Sequence, residues 1–233
     1  MEDIAQVVRR LSHKAPHLVC GPKTDLVIEG YPRSGNTFTV DMLQVLMQGR
    51  RPQLRIAHHT HSADNLRMAA HHGVPCAVLV RAPQDAILSF MIYSGRDAAF
   101  CTERYLQFYR FVLALRTPWV LLPFELVVKD FNAVVDRLNP LVGGRIPRSA
   151  DLAADAERAR QRLVERTRKT GFDPLKAGLQ TAEREARKAE LRQVVTAHLA
   201  ADPRPAALHA EVLARDAPTR AAGPDRQPRA GSG

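Results

Sequence analysis

The chain has 233 residues, 45% hydrophobic and 25% charged, enough for one α/β domain with a small helical appendage; these values exclude a wholly disordered or collagen-like polymer. Its three cysteines, Cys20, Cys76 and Cys101, are far apart in sequence, which excludes a disulfide framework and the usual paired-cysteine zinc spacings and suits a reducing compartment. Lysine plus arginine exceed aspartate plus glutamate by 34 − 24 = 10, a balance that favours anionic partners without choosing among nucleotides, nucleic acid and lipid.

Met1 to Arg10 places acids first, with no apolar run behind a basic stretch, so no export signal is read there. The longest apolar stretch, Phe111 to Phe124, is interrupted by Arg116 and Pro118 and falls short of the ~20 apolar residues a membrane span needs. The expectation is a soluble, cytoplasmic protein.

In chain order, Leu26-Val27-Ile28 is a short apolar run closed by Gly30 and Pro32, and predicts a strand. Thr37 to Gln48 carries Val40, Leu43 and Met47 at helical spacing. Leu54 to Ala57 is a weaker strand, Ala63 to His72 a short helix, and Cys76 to Val80 a buried strand. Pro83 to Tyr93 reads as a helix with proline at a tolerated early position. Glu103 to Leu115 is a further helix, Trp119 to Leu122 a strand, and Phe131 to Leu138 a helix. Strand–helix alternation of this kind predicts an α/β fold, a three-layer parallel sheet flanked by helices. Beyond residue 150, segments 151–169 and 181–200 are rich in Ala, Arg, Glu and Leu and predict helices, with a Gly- and Pro-containing link over 170–180. A last short helix is expected from Pro205 to Arg215. The predicted organisation is a nucleotide-binding core over 1–150, a C-terminal helical extension packing on it over 151–216, and a disordered tail over 217–233.

Residues 26–39, LVIEGYPRSGNTFT, put a buried strand, a glycine-containing turn and a helix start in succession. That order aims backbone N–H groups and the helix dipole at one spot, an anion nest. Gly30 and Gly35 have the spacing of the nucleotide-triphosphate loop, but Asn36 stands where that loop needs lysine, and the cation lies earlier, at Arg33. The run Tyr31-Pro32-Arg33-Ser34-Gly35-Asn36-Thr37-Phe38 resembles the 5′-phosphosulfate loop of sulfotransferases that use 3′-phosphoadenosine 5′-phosphosulfate (PAPS), whose pattern is Tyr-Pro-Lys-Ser-Gly-Thr-Thr-Trp. The resemblance implies that Arg33 replaces the loop lysine. It further implies that Ser34, Gly35, Asn36 and Thr37 cradle the 5′-phosphate, and that Phe38 packs near adenine in place of tryptophan.

Residues 78–90, VLVRAPQDAILSF, carry Arg81, Pro83, Asp85 and Ser89 at the places of the same family's 3′-phosphate motif, with Ala82 in place of asparagine. Arg81 falls at the end of a predicted strand, where open parallel sheets bind ligands, and a guanidinium grips phosphate with two parallel hydrogen bonds. Ser89 follows two helical turns later. Asp85 is read as a capping or orienting residue. Between the two motifs, His59-Thr60-His61 matches the family's Lys-Thr-His, so the resemblance casts His61 as general base, a task an imidazole suits at neutral pH. Asp64 is the alternative base, and the cluster of His58, His59, His61, His71 and His72 has a metal-binding reading as well. Trp119 to Leu126 is read as structural. In Arg168-Lys169-Thr170-Gly171 there is a faint echo of the family's C-terminal phosphate loop, and residues 94–118, with Tyr105, Phe108 and Tyr109, fall where an acceptor pocket would lie.

The resemblance implies a PAPS-dependent sulfotransferase with catalytic His61, Arg33 and Ser89, binding PAPS as co-substrate through Arg33, Ser34, Gly35, Asn36, Thr37, Phe38, Arg81 and Ser89. No metal is expected. The acceptor is a small-molecule, glycan or lipid hydroxyl, with nucleic acid not expected as a partner. The alternatives are a nucleotide kinase or NTPase of the P-loop fold, and a non-catalytic binding module.

Overall fold

The computed structural model describes residues 3–116 and 119–215; the tail expected over 217–233 lies outside the described residues. Helix α1 (Ile4–Leu11), capped by the Asp3 carboxylate, leads through a 3-10 turn at Pro16–Leu18 into β1 (Leu26–Gly30). Then come α2 (Asn36–Leu46), β2 (Ile56–His58), α3 (Ala63–His72), β3 (Cys76–Val80), α4 (Pro83–Ser94) and α5 (Ala98–Ala114). The core ends with β4 (Trp119–Pro123), α6 (Phe124–Lys129) and α7 (Phe131–Val142). Helices α8 (Leu152–Thr170), α9 (Pro174–Ala177), α10 (Ala182–Ala201) and α11 (Arg204–Ala214) complete the described chain. Among the described residues no helix is long and apolar enough to cross a membrane.

The four strands form one parallel sheet in the order β2-β1-β3-β4. Side chains alternate across it, as the two-residue period of a strand requires. Val27, Cys76, Val78, Val80 and Leu121 enter the layer built by α1, α3, α4 and α5; Leu26, Ile28, Ala77, Leu79 and Leu122 enter the layer built by α2, α6 and α7. Both faces are therefore covered, and β1 and β3 are buried along their whole length, the usual condition of a parallel sheet. This is the expected three-layer α/β fold.

Several boundaries differ from expectation for local reasons. The second strand is Ile56–His58 rather than Leu54 to Ala57, because its register pairs Ile56 with Leu26 and His58 with Ile28. Helix α5 starts at Ala98, five residues before Glu103, because the Asp97 carboxylate accepts from the Phe100 N–H at 2.8 Å and so caps the first turn. Helix α7 passes through Pro140 and stops at the left-handed Gly143. Helices α1, α6 and α9 have no counterpart in the sequence reading.

The C-terminal helices pack back on the core: α8 on α2, α10 on α4, α11 on α5. Arg166 of α8 grips the buried Asp41 of α2 with two hydrogen bonds of 3.0 and 2.9 Å. Gln84 of α4 donates to Thr196 of α10 at 2.9 Å, and Arg204 of α11 pairs with Glu103 of α5. Helices α8 and α10, with the link that carries α9, thereby wall a space beyond the C-terminal ends of the strands.

Candidate functional site

That space is a cavity of about 1210 Å³. Its floor is the loop between β1 and α2. The loop closes on itself where the Ser34 N–H donates to the Tyr31 carbonyl at 3.2 Å, and Arg33 and Gly35 adopt φ of 73° and 103°. Gly35 is required here: its φ is one that side chains rarely adopt, and an added Cβ would lie 3.2 Å from the Phe124 ring. No side chain caps α2, so the N–H groups of its first turn point into the cavity mouth.

Three guanidinium groups meet above this floor. Arg81 leaves the end of β3 and donates to the Arg33 carbonyl at 3.2 Å, while its own carbonyl accepts from the Tyr105 hydroxyl at 3.0 Å. Arg33 Nε donates to Ser89 Oγ at 3.3 Å, and Arg184 of α10 donates to the same oxygen at 2.8 Å and to the Leu175 carbonyl. Arg81 lies 4.1 Å above the centre of the Phe124 ring. Burial draws the proton affinity of all three guanidiniums down, and for Arg33 the nearby charges of Arg184 and Arg81 add to the effect. Among the described residues none of the three is in an ion pair with a carboxylate. Arg81 Nε and both polar atoms of the Asn36 side chain are buried without a hydrogen-bond partner. Buried like charges and unpartnered polar atoms are costly by themselves. An anion of more than one charge matches the guanidiniums, Arg81 Nε and Asn36 Nδ2, all of them donors.

His61 stands beside this cluster on the turn after β2. Its ring Nδ1 is 3.0 Å from the Gly30 carbonyl. A carbonyl only accepts, so Nδ1 carries the proton and Nε2 presents a lone pair. Burial, with Lys14 and Arg33 nearby, lowers its pKa to about 4. His59 Nε2 is 3.0 Å from Thr37 Oγ1, and its Nδ1 lies 2.5 Å from His58 Nδ1. Burial first, then neighbouring positive and imidazole groups, lowers the pKa of His58 to about 4 and of His59 to about 2. Among the described residues no group of three His, Cys, Asp or Glu side chains is arranged to hold a metal ion. The three histidines make stability depend on pH. Unfolded, they take up protons near pH 6.5; folded, they resist until pH 4 or below. Between those values the unfolded state binds more protons, so stability falls as pH falls, by about 1.4 kcal/mol per pH unit for each histidine still neutral in the fold. Thermal melts between pH 7 and pH 4 should show this slope, and a variant lacking His58 should show a shallower one.

The site residues expected from sequence do not all converge. Arg33, Gly35, Asn36, Thr37, Phe38, Arg81, Ser89 and His61 line the cavity. Ser34 does not: it is fully buried, its hydroxyl lies 3.4 Å from that of Tyr109, and its N–H is used within the turn. Asp64, the alternative base, is also elsewhere. Two hydrogen bonds of 2.8 Å from Arg10 and one of 2.7 Å from Arg67 hold it, and these bonds keep its pKa below the usual carboxylate range. Tyr105, Phe108 and Tyr109, in the region expected to offer an acceptor pocket, lie in the core. The Tyr105 and Tyr109 hydroxyls bond the carbonyls of Arg81 and Leu79, bracing the strand end that carries Arg81.

Three contributors were not anticipated. Arg184 supplies the third guanidinium, whereas Arg168 and Lys169 do not line the cavity. Phe124, assigned to a structural segment, lines the cavity as Phe38 does. Gly178, just after α9, lets the Arg33 side chain pass: an added Cβ would sit 1.9 Å from Arg33 Nη2.

No family model matches the sequence, and no curated protein is significantly similar to it. Among solved structures, the chain is similar to the crystal structure of mouse sulfotransferase SULT7A1 complexed with PAP, a match covering 90% of this chain and 94% of that chain at 14% sequence identity, with a TM-score of 0.49.

Proposed function

We propose that the protein is a sulfotransferase that moves a sulfuryl group from PAPS to a hydroxyl of an acceptor. The observation that carries this reading is the meeting of Arg33 and Arg184 on Ser89, with Arg81 bonded to the Arg33 carbonyl, beside a histidine with a free Nε2 lone pair. Two neighbouring strand ends offer cations to a ligand with negative charge at two places, and Phe38 and Phe124 offer aromatic surface for its base. Asn36 has no ammonium to give a nucleoside triphosphate, which disfavours the kinase alternative.

When bound, PAPS supplies the group that is transferred. Arg33 and the first-turn N–H groups of α2 hold the 5′-phosphosulfate end; Arg81, Ser89 and Arg184 hold the 3′-phosphate. His61 Nε2 accepts the proton of the acceptor hydroxyl, and the resulting imidazolium keeps its Nδ1–H on the Gly30 carbonyl. The guanidiniums offset the charge that builds on the leaving 3′,5′-ADP. Catalysis of this kind rests on positioning and electrostatic stabilisation. All three cysteines are buried free thiols, which supports a cytoplasmic setting.

Calorimetric titration tests the reading directly. We expect 3′,5′-ADP to bind at least 100-fold more tightly than ATP, and radiolabelled PAPS incubated with protein and cell extract to yield a labelled product. Equal or tighter ATP binding points instead to a nucleotide kinase or NTPase. Salt-dependent binding of nucleic acid with no labelled product points to a binding module.

A further inference from the structure

Glu29 is a carboxylate in the middle of the sheet. It belongs to β1, the strand between β2 and β3, and it is 0% exposed. Two residues on from Val27, its side chain enters the same layer, toward α3. An ionised group in such a place is costly unless every lone pair is engaged. Four donors engage it. Thr60 N–H (3.0 Å), Thr60 Oγ1 (2.7 Å) and Asn65 Nδ2 (2.8 Å) share Oε1, and the His61 N–H reaches Oε2 at 3.0 Å.

Two of these bonds go to Thr60 and one to His61, the residues of the turn between β2 and α3. That turn is strained. His59 and His61 have φ of 60° and 49°, left-handed values that non-glycine residues rarely adopt. The surrounding structure must over-determine such a turn for it to persist. The next residue of β1 completes the restraint, since the Gly30 carbonyl accepts the His61 Nδ1–H. Neighbouring residues of one buried strand thus fix both the backbone and the ring of His61. Asn65 ties the carboxylate in turn to the chain before β1, accepting from the Cys20 N–H at 2.7 Å and donating to the Leu18 carbonyl at 3.2 Å.

We propose that Glu29 is the positioning residue of the base: its buried carboxylate holds the 59–62 turn in the left-handed geometry that places the His61 ring on the Gly30 carbonyl with Nε2 toward the cavity. Three of its partners are N–H donors and the fourth, the Thr60 hydroxyl, donates as placed, so the site needs an acceptor at both oxygens. Glutamine at this position has nearly the same shape but offers one acceptor oxygen and one NH2 group, and it must turn donors toward donors. The proposal rests on His61 acting as the base.

The test reads His61 directly. In nitrogen-15 NMR spectra the wild-type protein should show His61 as a single tautomer, protonated at Nδ1, with that proton protected from solvent exchange. In Glu29→Gln we expect a mixture of tautomers, fast exchange of that proton, and 3′,5′-ADP affinity within threefold of wild type. Once an acceptor is in hand, turnover should fall at least 100-fold with the KM for PAPS within threefold. Glu29→Asp, one methylene shorter, cannot reach both Thr60 and His61 and should show a partial form of the same change. It decides the matter if the glutamine variant does not fold. A folded variant in which His61 keeps the wild-type tautomer and exchange protection overturns the proposal, and so does a mixed or freely exchanging His61 in the wild-type protein. Failure of wild-type protein to bind 3′,5′-ADP is a separate result, and it counts against the sulfotransferase reading rather than against Glu29.

Discussion

Arg33→Ala is expected to weaken 3′,5′-ADP binding by two to three orders of magnitude without destabilising the free protein. A charge-assisted hydrogen bond to phosphate in a buried site is worth about 2–4 kcal/mol, and each 1.4 kcal/mol is tenfold in affinity. The second half of the prediction comes from the neighbours. The half-buried Arg33 guanidinium has the charges of Arg184 and Arg81 nearby and, among the described residues, no carboxylate partner. Its removal relieves like-charge repulsion in the free protein and deletes, among the described residues, one long hydrogen bond to Ser89 and a distant contact with the Tyr93 ring. The melting temperature of the ligand-free variant should therefore match or exceed that of wild type, while the rise in melting temperature on adding 3′,5′-ADP disappears. Arg81→Ala should lose affinity to a similar degree but also lose stability, because Arg81 stacks on Phe124 and bonds the Arg33 carbonyl. Calorimetry and thermal melts on both variants separate these outcomes. Affinity within twofold of wild type for both would falsify the assignment of the anion site.

The parts of the site readable in sequence are those that a short segment encodes by itself. A buried strand followed by a tight turn and a helix start announces an anion nest wherever it occurs, and Arg33, Arg81 and Ser89 sit at fixed offsets from such starts. The parts that were not readable depend on contacts between distant segments. Helix α10 holds Arg184, Arg187 and Arg192 within three turns, and nothing local distinguishes them. Packing of α10 on α4 turns residue 184 inward against Ser89. Glu29 ends an apolar run and resembles an ordinary polar strand end until Thr60, His61 and Asn65 are folded over it. Ser34 lies on the inner side of the loop, which the loop pattern does not show; Tyr109, from a helix some 75 residues on, lies against it. The tyrosines of α5 carry no local sign of their partners, and each spends its hydroxyl on a strand-end carbonyl.

His61→Ala is expected to abolish transfer while sparing the nucleotide site, the reverse of the Arg33 result. Its imidazole makes no hydrogen bond to Arg33, Arg81 or Ser89; among the described residues its one hydrogen bond is to the Gly30 carbonyl. The affinity for 3′,5′-ADP should stay within about threefold of wild type, and labelled-PAPS turnover should fall by about 10²–10⁴, the range for loss of a general base. The pH dependence gives an independent check on the sign. With a pKa lowered to about 4 by burial, His61 is already the neutral, proton-accepting form throughout the physiological range. Turnover should be flat from pH 6 to 8 as far as His61 is concerned, and should fall only as pH drops toward 4 and the ring takes up a proton. An unperturbed histidine would instead lose activity near pH 6.5. A limb near 6.5 that persists in His61→Ala would assign the titration to another group, and an active His61→Ala would move the base elsewhere.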